Sequence, residues 1–155
     1  MAVSSDFRDL LSVFNANQVR YLVIGGYAVV RYTEPRYTKD LDIWISVDPE
    51  NAVAVFRALR AFGAPLTGMT ERDFSEEGFF YQMGVPPVRI DILTEITGLS
   101  FDVAWKNRVP GTFFGVPVNF ISQADLETNK RALGHASDVR DLKRAPGKRI
   151  LKKGQ

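Results

Sequence analysis

The sequence predicts an α+β domain: a mixed β-sheet flanked by helices, with a further helical segment towards the C-terminus. Three observations carry this. Short apolar runs bounded by turn-forming residues alternate with segments whose apolar residues recur at three- and four-residue intervals. One such run, 21–24, leads straight into Gly25-Gly26 and a helical stretch. Two others, 40–47 and 88–93, carry acidic side chains inside otherwise apolar strands. At 155 residues and 45% hydrophobic, the chain can enclose a core as one domain over 1–145, leaving 146–155 as a basic tail.

The first helix starts near Ser5, since Phe7, Leu10, Leu11 and Phe14 share a face, and Asn17-Gln18 ends it. Residues 21–24 form the first strand. The glycine pair turns the chain into a helix over 27–32, and Pro35 stops any helix in the loop 33–39. That loop carries Arg36, Thr38 and Lys39, with Arg31 before it, up to the acidic strand. Asp48-Pro49-Glu50 is a helix start, an N-cap followed by proline at the first helical position. Val53, Phe56 and Leu59 then face the core, and Gly63 closes the helix. Residues 67–77 are a polar loop with a helical turn near Arg72. Strand 78–83 pairs with 88–93 across the turn 84–87, with Phe79, Phe80 and Tyr81 in the core. Residues 99–108 form a helix with Phe101, Val103, Ala104 and Trp105 partly buried. Residues 113–114 and 118–120 are short strands joined through Gly115 and Pro117. Ser122 caps the next helix, with Asp125 three residues on; Gly134 ends it, and Ser137 caps a last helix over 138–144.

Asp40 and Asp42 lie two apart on a strand, so both stand on one face while Leu41, Ile43 and Ile45 pack behind them. In 88–93 the same alternation puts Val88, Ile90 and Ile92 on one face and Asp91 on the other, between Arg89 and Leu93. On a neighbouring strand, Asp91 completes a three-carboxylate cluster. Carboxylates that close repel one another unless a cation neutralises them. Hard divalent cations such as Mg2+ take oxygen ligands, commonly one or two carboxylates plus phosphates, so a phosphate-bound metal is the natural partner. A Gly-Gly turn between strand and helix lets backbone N–H groups approach an anion at the positive helix end, and triphosphate meets that description.

Rival motifs fail on their spacing. GGYAVV lacks the third glycine of a dinucleotide-binding turn, and no Lys-Ser or Lys-Thr follows the glycines as a P-loop requires. His135 is the single histidine and cysteine is absent, which excludes a thiolate zinc site and a disulfide scaffold and leaves a histidine cage or a Ser-His-Asp triad without parts. The N-terminal MAVSSDFRDL has Asp6 and Arg8 where a secretory leader needs an apolar core. No apolar run reaches membrane-spanning length, so a cytoplasmic protein without membrane contact is expected. From Lys130 onward, nine Lys or Arg against Asp138 and Asp141 give +7, leaving −5 on the remainder of a chain whose net charge is +2. An acidic body with a basic end suits a metal and a phosphate or RNA partner; the plainer reading of that end is a solvated tail.

Gly25-Gly26 after a strand, then Asp40-Leu41-Asp42, then Asp91 on a later strand resemble the DNA polymerase β-like nucleotidyltransferase superfamily. More narrowly, they resemble the small bacterial nucleotidyltransferases that include abortive-infection and toxin-antitoxin members. The likeness covers 17–93 as a catalytic core and, more loosely, ADLETNKRALGHASDVRDL at 124–142, within C-terminal helices over 122–145. It implies a nucleotidyltransferase fold and transfer of a nucleoside monophosphate from a nucleoside triphosphate, with Mg2+ or Mn2+ as cofactor. Asp40 and Asp42 would hold one or two ions. Asp91 would either ligate the second or draw the proton from the acceptor hydroxyl, and Gly25 with Gly26 would hold the β and γ phosphates. Lys130 is the implied phosphate contact of the C-terminal segment, Arg140 with Asp141 a structural ion pair, and Lys39 or Arg36 a further ligand from the loop. Tyr81 has a second reading as a nucleobase platform. Similar small proteins modify RNA ends, protein hydroxyls or antibiotics; the basic end points to RNA, particularly a tRNA end, or to a cognate toxin or antitoxin protein. The alternative from another class is a non-catalytic nucleotide- or nucleic-acid-binding module that keeps the transferase fold.

Overall fold

The computed structural model describes residues 2–32, 40–85, 88–113 and 115–134. Arg36, Thr38, Lys39, Phe114, His135, Arg140, Asp141, the expected last helix and the basic tail lie outside them. In chain order the described residues form helix α1 (Ala2–Ala16), strand β1 (Tyr21–Ile24), helix α2 (Gly25–Tyr32), strand β2 (Asp40–Ile45), helix α3 (Pro49–Phe62) and a 3-10 turn (Glu71–Ser75). Strands β3 (Phe80–Met83) and β4 (Arg89–Leu93), helix α4 (Phe101–Lys106), strands β5 (Val109–Phe113) and β6 (Val116–Phe120) and helix α5 (Gln123–Ala132) follow.

The apolar spacing of α1 buries Phe7, Leu10, Leu11 and Phe14 completely, and Gln18, with φ 56, turns the chain away. α2 begins at Gly25, ahead of the expected Tyr27, so the glycine pair forms the helix's own first turn. Pro49 opens α3, and Gly63, at φ 93, closes it by donating its N–H to the carbonyls of Leu59 and Arg60. Asp48 is the N-cap, as expected, though its side chain makes no capping bond and its carboxylate instead pairs with Arg20. One expectation fails on this helix. Val53 is 43% exposed, because the buried stripe runs Ala52, Val55, Phe56, Leu59, and small alanines disguised it in the sequence. In α4, Val103 is likewise exposed beside a buried Ala104. β5 starts earlier than expected, at Val109, and Pro117 lies inside β6 rather than in the link.

The strands make one mixed sheet in the order β3-β4-β2-β1-β6-β5. β1 is antiparallel to β2 and parallel to β6, β2 is parallel to β4, and the antiparallel pairs β3/β4 and β5/β6 form the two edges. Strand alternation divides the apolar residues between two cores. α1 and α3 cover one face, packing on Tyr21, Val23, Leu41, Ile43, Ile90 and Ile92. The other face carries Leu22, Ile24, Trp44 and Leu93 under Ala28 of α2, Ala104 of α4 and Leu126 of α5. No helix among the described residues is long and apolar enough to cross a membrane.

Phe79, Phe80 and Tyr81 are all buried, as expected for core. Tyr81 packs edge-on against Phe74, donates its hydroxyl to the Pro65 carbonyl at 2.9 Å and belongs to the α1/α3 core, so it offers no platform to a nucleobase. Burial pushes its hydroxyl up to about 12 from 10.0. A raised phenol stabilises the fold fully below pH 10 and loses that contribution as pH rises to about 12. Tyr81→Phe is therefore expected to show a shallower fall of stability across that alkaline window, read from urea unfolding at successive pH values.

Asn51, buried at the start of α3, ties β1 to β2. Its Oδ1 accepts from the Arg20 backbone N–H at 2.7 Å, and its Nδ2 donates to the carbonyls of Ser46 at 2.9 Å and Arg20 at 3.2 Å. Asn51→Leu removes the partner of the Arg20 N–H and of the Ser46 carbonyl, while the Arg20 carbonyl keeps the Ser46 N–H at 3.3 Å, and is expected to destabilise by about 2 kcal/mol in urea unfolding.

Candidate active site

Strand register assembles the site. β2 lies between β1 and β4, with Asp42 opposite Ile24 on one side and Asp91 on the other, while Asp40 lies opposite Arg89. Opposite residues share a face, so Asp40, Asp42, Arg89 and Asp91 form a two-by-two block at one end of the face that carries Trp44 and Leu93 further along. One carboxylate oxygen from each aspartate lies within 4.8 Å of the other two. Asp91 is 0% exposed and Asp42 1%; Asp40, with its side chain 19% exposed, is the edge of the cluster nearest solvent.

Arg89 answers part of this charge. Its Nη2 pairs with Asp40 Oδ2, and its Nε lies 3.6 Å from Asp91 Oδ2. Asp42 and Asp91 lie where little water reaches, and buried charge is costly unless it is matched. Closely spaced oxygen donors, with neither histidine nor cysteine among them, suit hard divalent ions such as Mg2+ and Mn2+. The residues present therefore fit the expected metal.

The glycine pair is built into the same block. Gly25 has φ 75, and a Cβ there would overlap Asp42 Oδ2 and come within 2.9 Å of its Cγ. Only glycine combines that backbone with that approach. Gly25 thus makes room for the Asp42 carboxylate, and Gly26 is buried beside it in the first turn of α2.

Helix α5 is fixed over the same sheet face. Ser122 Oγ accepts the Asp125 backbone N–H at 3.1 Å, and the Asp125 carboxylate accepts Asn107 Nδ2 at 3.2 Å. Asn129 donates to the Thr97 carbonyl at 2.7 Å, and Gly98, at φ 87, packs so closely on Ala132 that a Cβ would overlap it. Lys130 is exposed on this helix.

Of the residues singled out in the sequence, the structure gathers Asp40, Asp42 and Asp91, with Gly25 against Asp42. Lys130 stands on the surface of α5, and Lys39 lies outside the described residues. Sequence reasoning misses Arg89, which reads there only as a neighbour of Asp91. The signal that could have found it is strand parity, since Arg89, two residues before Asp91, shares its face.

No protein-family model and no curated protein matches the sequence. The fold is similar to the crystal structure of a "putative nucleotidyltransferase" from Thermotoga maritima, with a TM-score of 0.57 and 17% identity, over 88% of this chain and 87% of that one. The chain is thus an α+β protein with a nucleotidyltransferase-like fold, its mixed sheet flanked by helices as expected.

Proposed function

We propose that the protein is a metal-dependent nucleotidyltransferase that moves a nucleoside monophosphate from a nucleoside triphosphate to a hydroxyl acceptor. The observation that carries this reading is the convergence of Asp40, Asp42 and Asp91 within 4.8 Å, with the Gly25 turn against them. The likeness of fold to the Thermotoga protein supports it. The three carboxylates would hold one or two Mg2+ or Mn2+ ions, which when bound neutralise charge on the attacking and leaving oxygens of an in-line displacement. The N–H groups of Gly25 and Gly26, at the positive end of α2, would take the β and γ phosphates, and Lys130 and Lys39 would add charge along the triphosphate. The acceptor oxygen bonds to the α-phosphorus, the bond to the β-phosphate oxygen breaks, and pyrophosphate leaves. Asp91 is the candidate to receive the hydroxyl proton, a role that needs hydrogen-bond reach to the acceptor. Positioning and charge neutralisation supply most of the rate, since phosphoryl transfer asks little covalent chemistry of a protein.

The basic end of the chain from Lys130 favours an RNA end, a tRNA end in particular, over a protein hydroxyl as acceptor. A toxin-antitoxin setting with a cognate partner protein belongs to the same reading. Incubation with each α-labelled nucleoside triphosphate, Mg2+ and total cell RNA or cell protein is expected to label RNA and release pyrophosphate. Label in protein alone would move the acceptor to a protein hydroxyl. Nucleotide binding that needs Mg2+, with neither pool labelled, would replace the enzyme by a binding module.

A further inference from the structure

We propose that Arg89 is the resident counter-ion of the carboxylate cluster, a positioning residue that bridges Asp40 and Asp91 in the metal-free protein and competes with the divalent ion for them. The inference rests on the reading that the cluster holds metal. Register puts Arg89 directly across from Asp40 and two residues before Asp91 on the same face, so one side chain reaches both ends of the block. Its own side chain is only 24% exposed, so the guanidinium sits inside the cluster and not out in solvent. A planar fork presents Nε and Nη2 to two carboxylates in a fixed geometry, which the compact ammonium of a lysine does not reproduce.

The two contacts differ, and the difference says where competition falls. The Asp40 contact is a close hydrogen-bonded pair, whereas Nε stands 3.6 Å from Asp91, beyond hydrogen-bond length, and makes no hydrogen bond at all. Asp40 is also the carboxylate nearest solvent. An ion entering from that side must share Asp40 with Arg89 or take it. Arg89 therefore offsets charge on Asp40 and Asp91 before any metal arrives, and it lowers their affinity for that metal.

The test is calorimetric titration of Mn2+ into the metal-free wild type, Arg89→Met and Arg89→Lys at low salt without nucleotide, paired with urea unfolding of each. Arg89→Met is expected to bind Mn2+ about tenfold tighter, because the competing cation is gone. It should unfold at lower urea when metal-free and regain the wild-type midpoint in saturating Mn2+. Arg89→Lys, which keeps the charge and loses the fork, should fall between the two, and it carries the same test if the Met variant does not fold. An arginine with a merely structural role would give the opposite sign, weaker Mn2+ binding on its removal. A wild type that binds Mn2+ with variants that bind no tighter overturns the assignment of Arg89 and leaves the metal reading standing. If none of the three proteins binds Mn2+, the metal reading itself falls, and the competition with it.

Discussion

Asp42→Asn is expected to lower nucleotidyl transfer about a thousandfold while the protein melts within about 3 °C of wild type. Asp42 is the middle of the cluster, one strand step from Asp91 and two residues from Asp40, and at 1% exposure its charge has no solvent substitute. Asparagine keeps the shape and removes the charge, so a bound cation loses a ligand while the packing around Gly25 stays. The change also relieves repulsion among the carboxylates, which is why stability is not expected to fall with activity. Transfer rates with labelled nucleotide, set beside a circular dichroism melt, read both halves. A variant that keeps full activity would remove the carboxylates from the chemistry.

Gly25→Ala is expected to destabilise the protein by about 2 kcal/mol or more and to reduce transfer about a hundredfold, because both backbone and neighbour refuse the methyl group. At φ 75 an alanine is strained in any surroundings, and here its Cβ would press into the Asp42 carboxylate. Gly63→Ala is the control. Gly63 has φ 93 and nothing within 4 Å of where a methyl group would stand, so it meets the strain without the collision. That variant should lose about 1 kcal/mol and transfer at the wild-type rate. Equal activity losses in the two variants would show that the loss at Gly25 comes from backbone strain and not from displacement of Asp42.

Much of this site was legible because strands have a period of two. Parity alone put Asp40 and Asp42 on one face, set Asp91 opposite its apolar neighbours, and needed only that β2 and β4 be adjacent. The Gly-Gly turn after β1 was equally visible, since an apolar run that meets two glycines must change direction. What escaped was whatever depends on contacts distant in sequence. That Gly25 yields space to Asp42, that Arg89 bridges Asp40 and Asp91, and that Asn51 pins Arg20 to Ser46 all depend on register, which no local pattern contains. Helix α3 misled for another reason. Its buried stripe is partly alanine, so spacing judged from the larger residues turned the helix towards Val53. Tyr81 misled least, since an aromatic run in a hairpin strand already pointed to the core that the structure gives it.

Everything proposed for this site requires that Asp40, Asp42 and Asp91 together hold a divalent cation. Crystals soaked in millimolar Mn2+ and measured for anomalous scattering test this most directly. The expected result is a peak bounded by carboxylate oxygens of all three residues and absent from Asp42→Asn crystals. Density in which the three side chains point apart, or a soaked crystal with no anomalous peak among them, would contradict it.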